Sequence, residues 1–302
     1  MDATMKSRFE PDRGLTRRMV ATGFLLGLLY VVFVAVLIAL TRSAVLAVVI
    51  AGGLLFCQYW FSDRIALYAM RGRVVTPEQA PELHGVIDRL CALADMPKPA
   101  VAIADSDFPN AFATGRSPSK AVVCVTTGLL RRLEIEELEG VLAHELSHVA
   151  HRDVAVMTIA SFLGVLAGLM TRMALWGGVG RNRDQNTAAI VLIVVLVSAL
   201  VYVLSFMLTR ALSRYRELAA DRAAAELTAR PSALASALTK VSGDIARIPT
   251  RDLRKAEAFN AFFLVPAVAK GVSISTLFAT HPTLERRLDQ LASISRRLGE
   301  QA

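Results

Sequence analysis

The chain has 302 residues, 54% of them hydrophobic, with a mean hydropathy of +0.46, a formal net charge of +8 and a pI near 9.8. A purely soluble domain rarely averages so apolar, so that class is excluded first. The basic excess does not point to nucleic acid either: the charges flank apolar runs, and no nucleic-acid recognition motif is present.

Read in chain order, the apolar residues fall into four runs. Met19 to Leu40 is uncharged, and Ala44 to Phe61 follows after "TRS". Val154 to Thr171 is the third, ending at Arg172, and Thr187 to Thr209 is the fourth. A membrane helix needs about 20 apolar residues. The first and fourth runs meet that length; the second is short, and the third is either a short span or a buried or re-entrant helix. The first run is longer than the roughly 7–15 residues of a signal-peptide core and lacks a small-x-small cleavage site, so it is read as a retained helix. Lys6, Arg8, Arg13, Arg17 and Arg18 precede it, Arg64, Arg71 and Arg73 follow the second run, and Arg210, Arg214 and Arg216 follow the fourth. Lys and Arg mark cytoplasmic helix ends. That rule places the N-terminus, residues 62 to 153 and everything after Arg210 inside, although Arg181 and Arg183 weaken the placement of the second hairpin. Cys57, Cys91 and Cys124 are scattered, with neither metal nor disulfide spacing, as suits a reducing compartment.

Four segments result: an N-terminal transmembrane hairpin (1–61), a first soluble block (62–153), a second hairpin (154–209) and a second soluble block (210–302). In the first block, Leu83, Val86, Ile87 and Leu90 predict a helix that Pro97 and Pro99 stop, with His84 on its surface. "AVAIA" and "AVVCVT" predict short strands, joined through a turn marked by Gly115 and Pro118. From Glu134 the pattern is helical again. Residues 210 to 229 predict an Ala-rich helix, and "HPTLERRLDQLASI" a last one, with Pro282 in its first turn and Leu284, Leu288 and Leu291 on one side. The fold class expected is mainly α with a small β-sheet, anchored by about four transmembrane helices.

The helix after Glu134 carries His144-Glu145-Leu146-Ser147-His148, an H-E-x-x-H pattern. Residues four apart stack on one helix face, so both imidazoles can reach one ion. A catalytic zinc takes three protein ligands and leaves a fourth position for water. Glu145 lies beside those ligands and can accept the water's proton and pass it to the departing amine. It also falls within an apolar arc of Leu138, Val141, Leu142, Leu146 and Val149, where an ionised carboxylate without partners is costly and a dication would offset the cost. Glu217 and Asp221, one turn apart in "SRYRELAAD", return to the same membrane side. Glu217 could complete a His-His-Glu set, and Asp221 could hold a ligating imidazole from behind. The plain alternative is a solvated acidic face.

"HELSHVAHRD", "SRYRELAAD" and "THPTLERRLDQL", with the N-terminal hairpin and the apolar insertion, resemble in their order the HtpX-type membrane zinc metalloproteases, gluzincins related to the CAAX prenyl proteases. The resemblance spans essentially the whole chain. It implies a gluzincin-like zinc protease domain facing the cytoplasm of a bacterial-type inner membrane, with one zinc per chain. The implied activity is quality-control cleavage of misfolded or damaged membrane proteins. It also implies His144, His148 and Glu217 as zinc ligands, Glu145 as the base and Asp221 behind a ligand. "NAFATG" matches the family's substrate-binding edge strand, which would make Asn110, Ala111, Phe112 and Ala113 contact an extended peptide through the main chain. His281 would stabilise the oxyanion; otherwise it is a capping or packing histidine. His151 and Asp153 are expected to position the end of the active-site helix. Arg287 matches a family arginine, and the sequence assigns it no role.

Three other readings stand beside this one. A non-enzymatic membrane scaffold would use a structural zinc, but such sites prefer four closed ligands, often cysteine, and no cysteine is near. A prenyl-protein processing protease would need a larger membrane chamber than four spans supply. Transport would call for ionisable groups within the spans, and only Arg172 lies at an end.

Overall fold

The computed structural model describes residues 13–41, 49, 52–53, 56, 60, 67–68, 70–115, 117–153, 157, 185–245 and 282–299. The second and third apolar runs lie almost wholly outside this set, as does His281. Two units are present. One comprises Met1–Leu15, Ser62–Ala155 and Ser213–Ala302; the other comprises Thr16–Phe61 and Val156–Leu212.

The second unit takes most of helix α1 (Arg13–Thr41) and the first part of a 44-residue helix (Gln185–Thr228). Both are long and apolar enough to cross a membrane. Neither has the single apolar stripe of a soluble surface helix. On α1, Val20, Phe24 and Val31 are 67%, 71% and 64% exposed, and on the longer helix Leu192, Leu196 and Leu200 are also exposed. That helix runs unbroken through Arg210, where the sequence suggests an apolar run followed by a separate Ala-rich helix. No Gly or Pro occurs between Gln185 and Thr228 to interrupt it. It stops where Ala229 takes a left-handed φ of 52° and Pro231 follows.

The first unit is built on a mixed four-stranded sheet of order β1-β2-β4-β3: β1 (Gly72–Val74), β2 (Ala100–Ala104), β3 (Ala111–Thr114) and β4 (Val122–Thr126). β2 and β4 are parallel, and the two edge strands run antiparallel to their neighbours. β1 carries no sequence signal, being three residues long and mostly polar. β3 lies within the segment read as a turn, on the "NAFATG" match. Helix α2 (Pro81–Ala94) ends at Asp95, whose left-handed φ of 50° turns the chain before Pro97. His84 is not a surface residue: it is buried, and its Nε2 donates to the Val75 carbonyl at 3.1 Å, tying α2 to the strand entrance.

A short helix α3 (Thr127–Leu130) leads to α4 (Ile135–Ala150), which carries the H-E-x-x-H pattern. The backbone N–H of Glu134 donates to Glu137 Oε2 at 2.9 Å, so the first turn of α4 is capped by its own third residue. Glu137 also accepts from Ser236 Oγ and Lys240 Nζ of α6 (Pro231–Ile245). With the 44-residue helix as α5, the last element is α7 (Leu284–Leu298). Thr283, not Pro282, starts it: its side chain accepts from the Arg286 N–H, which leaves Pro282 outside the first turn. The core joins α2, α4, α6, the end of α5, α7 and one sheet face, through Ile87, Leu90, Val123, Leu142, Leu146, Leu238 and Leu291. Helices α4 and α6 approach closely at Gly140, where an added Cβ would stand 3.2 Å from Leu234. The other sheet face buries Phe112 and Cys124 with Ala102, Ala104 and Val122.

Burial pushes the Cys91 thiol up to about 11 and the Cys124 thiol up to about 12, with Asp88 adding to the first. Both therefore stay protonated at pH 8, and the thiolate is the reactive form. In a Cys57→Ser variant, a maleimide at pH 8 is expected to label neither cysteine until the protein is denatured. Rapid labelling of either in the folded protein would contradict this packing.

Candidate active site

Helix α4 is engulfed by the first unit, so residues on all its sides are buried from Glu137 to Val149. His144 and His148 therefore sit in low dielectric, with Nε2 atoms 3.2 Å apart. Helix α5 brings Glu217 to face them, with Oε2 3.5 Å from His144 Nε2 and Oε1 3.4 Å from His148 Nε2. A tetrahedral ion with ligands at about 2.0–2.1 Å has ligand–ligand edges of about 3.3–3.4 Å. The Nε2–Nε2 separation is close to that edge, each Nε2 has a different Glu217 oxygen within 3.5 Å, and among the described residues one ligand atom from each of the three can be chosen with all of them within 4.8 Å of one another.

The other imidazole nitrogens are engaged from behind. His144 Nδ1 lies 2.9 Å from Asp221 Oδ1, and His148 Nδ1 lies 2.7 Å from Asp153 Oδ2. With a metal in place of the Nε2 proton, a carboxylate at Nδ1 would hold the remaining proton there and leave the Nε2 lone pair directed at the ion. Both aspartates are themselves paired. Arg287 of α7 makes a two-pronged contact with Asp221, Nε to Oδ2 at 2.7 Å and a terminal nitrogen to Oδ1 at 2.6 Å. Arg216 Nε stands 3.0 Å from Asp153 Oδ2.

Charge follows from this packing. Burial opposes protonation of His148, but the carboxylates of Asp153 and Glu217 overcome it and hold the imidazole up at about 10. His144 is raised by the same contest, with Asp221 and Glu217 against burial. Asp153 is lowered despite burial, because Arg216 and His148 favour its charge. Glu145 is raised by burial, against the pull of the two histidines and of the Ala113 backbone N–H that donates to its carboxylate. At this site four buried carboxylates (Glu145, Asp153, Glu217 and Asp221) meet two buried guanidinium groups, whereas the buried Glu137 pairs with Lys240 and Glu139 with Arg89. With all four ionised and both imidazoles neutral, as metal binding requires of its ligands, two negative charges would remain for one dication to balance.

The sheet supplies the rest of the geometry. β3 is an edge strand, and its register against β4 pairs Ala111 with Val125 and Ala113 with Val123. The Thr126 N–H donates to the Asn110 carbonyl at 2.9 Å, so alternate residues Asn110, Phe112 and Thr114 bond inward. Ala111 and Ala113 then turn their backbone groups to the open edge, consistent with the Ala113 bond to Glu145. Asn110 is not an outward donor: its N–H goes to Thr126 Oγ1 at 2.9 Å, and the residue is fully buried. Phe112 packs its ring into the core on the other sheet face.

The structure thus brings together His144, Glu145, His148, Glu217 and Asp221, with Ala113 beside them. Arg216 and the full part played by Asp153 escape a sequence reading. Asp153 lies beyond the regular turn of α4, and only the left-handed bend at Arg152 (φ 56°) returns it to His148. His151 Nδ1 stands 2.8 Å from the Ser147 carbonyl and closes the helix end.

The profile of peptidase family M48 matches residues 77–295, a span that contains every residue of this cluster. The chain belongs to peptidase family M48. It is similar over nearly its whole length to proteins named as proteases. It is 69% identical over 297 residues to Protease HtpX homolog 1 of Streptomyces coelicolor, with 98% of both chains covered. It is 52% identical over 298 residues to the Protease HtpX homolog of Moorella thermoacetica, covering 98% of this chain and 99% of that one. Among solved structures, Ste24p of S. mikatae aligns with a TM-score of 0.50 at 16% identity. That alignment covers 92% of this chain and 66% of the other, and it supports the fold alone. As an M48 member with two long apolar helices, the chain is a membrane metallopeptidase.

Proposed function

We propose that the chain is a zinc endopeptidase that holds one zinc through His144, His148 and Glu217 and cleaves unfolded segments of membrane proteins at the cytoplasmic face of a bacterial-type inner membrane. The observation that carries this reading is the buried His144–His148–Glu217 group, whose ligand atoms lie within 4.8 Å of one another, with a Glu217 oxygen within 3.5 Å of each Nε2. When bound, zinc supplies an electrophilic centre that polarises a carbonyl and makes water a better nucleophile. Glu145 accepts the proton of the attacking water on its carboxylate. It then delivers that proton to the amine nitrogen as the C–N bond breaks and the water oxygen stays on the acyl carbon. Asp221 and Asp153 keep both imidazoles oriented throughout. His281 is proposed to stabilise the oxyanion; it precedes α7 in sequence and lies outside the described residues.

A structural zinc in a passive scaffold does not explain a buried carboxylate beside the ligands, and three protein ligands leave the fourth position open. Four membrane spans, with the second and third apolar runs completing two hairpins, form part of the same proposal. A cysteine-labelling scan tests the orientation. Single cysteines at the exposed positions Arg73 and Arg230 are expected to react only from the cytoplasmic side. The buried Cys91 and Cys124 stay silent in that scan. Periplasmic labelling at either engineered site would contradict the topology.

The open edge of β3 supports extended, unfolded substrates, which would be gripped through the main chain more than through side-chain identity. Ala113→Pro removes an outward N–H, the one that donates to Glu145, without touching a bond to β4. It is expected to slow cleavage of an unfolded substrate by at least about tenfold, the worth of one positioned hydrogen bond, with zinc retained. Asn110→Pro breaks an internal bond instead and should lower stability. Unchanged cleavage by the Ala113→Pro protein would remove β3 from substrate binding and leave the metal site standing.

A further inference from the structure

We propose that Arg216 and Arg287 are positioning residues of the metal centre, each setting metal affinity through one aspartate and one histidine. The inference rests on the zinc reading above and extends it to two side chains outside the ligand set.

Both guanidinium groups are buried, Arg287 at 2% exposure and Arg216 at 7%. A buried cation is costly unless paired, and each has its partner in one of the two aspartates behind the ligands. The shared atoms are what give each pair its reach. Asp221 Oδ1 is contacted both by Arg287, at 2.6 Å, and by His144 Nδ1, at 2.9 Å. Asp153 Oδ2 is contacted both by Arg216, at 3.0 Å, and by His148 Nδ1, at 2.7 Å. Each arginine thus keeps its aspartate aimed, and the aspartate holds one imidazole with Nε2 toward the ion. The arginines approach from different helices, α5 and α7, so ring orientation of the two ligands is set from two sides.

The two arrangements differ in a way that separates positioning from plain stapling. Arg287 grips Asp221 with two nitrogens on two oxygens, a fork that a lysine ammonium cannot reproduce. Arg216 makes a single point contact, which an ammonium can replace.

The test measures zinc affinity by competition with a chromophoric chelator, using the full-length protein in detergent with Glu145→Ala as the parent. The visible spectrum of the Co2+-loaded form serves as a second readout. Arg287→Lys and Arg216→Gln are expected to bind zinc about 10–100-fold more weakly than the parent, the usual loss when a group behind a ligand is removed. Their cobalt bands should shift as well. Arg216→Lys should restore affinity to within about threefold. A variant that melts cooperatively without metal yet binds zinc and cobalt like the parent would overturn the proposal for that arginine. Equal losses in Arg216→Lys and Arg287→Lys would overturn the fork-against-point distinction. If the parent itself bound no zinc at one per chain, or His148→Ala bound it unchanged, the zinc reading would fail first, and the two failures are distinguishable.

Discussion

Glu145→Ala is expected to retain zinc and to lose at least about two orders of magnitude in cleavage rate. The size follows from its role: a positioned acid–base group contributes roughly 10²–10⁴ in rate. Retention follows from the geometry, because Glu145 lies outside the His144–His148–Glu217 triangle. Among the described residues, its carboxylate accepts from the Ala113 N–H and from none of the histidines or aspartates, so truncation leaves both imidazoles and both aspartates in place. The fold should tolerate the change, since burial works against the ionised carboxylate and alanine relieves that cost. Metal analysis and digestion of unfolded casein check both halves. Wild-type activity in this variant would end the assignment of Glu145 as the base.

The second large effect is at Glu217. It is the carboxylate whose two oxygens span both Nε2 atoms, at 3.5 and 3.4 Å, and it comes from a different helix than the histidines. Glu217→Ala should therefore lower bound zinc far more than Glu145→Ala and abolish cleavage with it. Two histidines on one helix remain in that variant, an incomplete set for a catalytic zinc. Equal zinc content and affinity in the two variants would place the third ligand elsewhere.

Much of the site is legible in the sequence because it depends on local spacing. H-E-x-x-H is read within five residues, and Glu217 and Asp221 within one turn of another helix. The strands at 100–104 and 122–126 follow from runs of small and β-branched residues. What stays hidden depends on tertiary pairing. Arg216 looks like one more cytoplasmic positive charge beside an apolar run, and only the fold buries it against Asp153. Arg287 sits among other charges of "LERRLDQL", and nothing in that pattern says that it turns inward to Asp221. His84 is misread for the converse reason: it lies three residues before Ile87 and seven before Cys91, at the edge of the buried face of α2, and the carbonyl of Val75 gives its ring a partner there. The outward and inward alternation on β3 needs the register with β4, which no single strand reveals. That is why Asn110 and Ala113 look alike in sequence and differ in the structure.

The central claim, that this cluster is a one-zinc hydrolytic site, is tested most directly by titrating activity against metal. Chelator-treated protein would receive increasing zinc while cleavage of unfolded casein is followed. The expected result is activity that is absent in the metal-free protein, rises linearly and reaches its plateau at about one zinc per chain, as a single three-ligand group requires. Cleavage that persists in the metal-free protein, or a plateau that needs two zinc ions per chain, would contradict it.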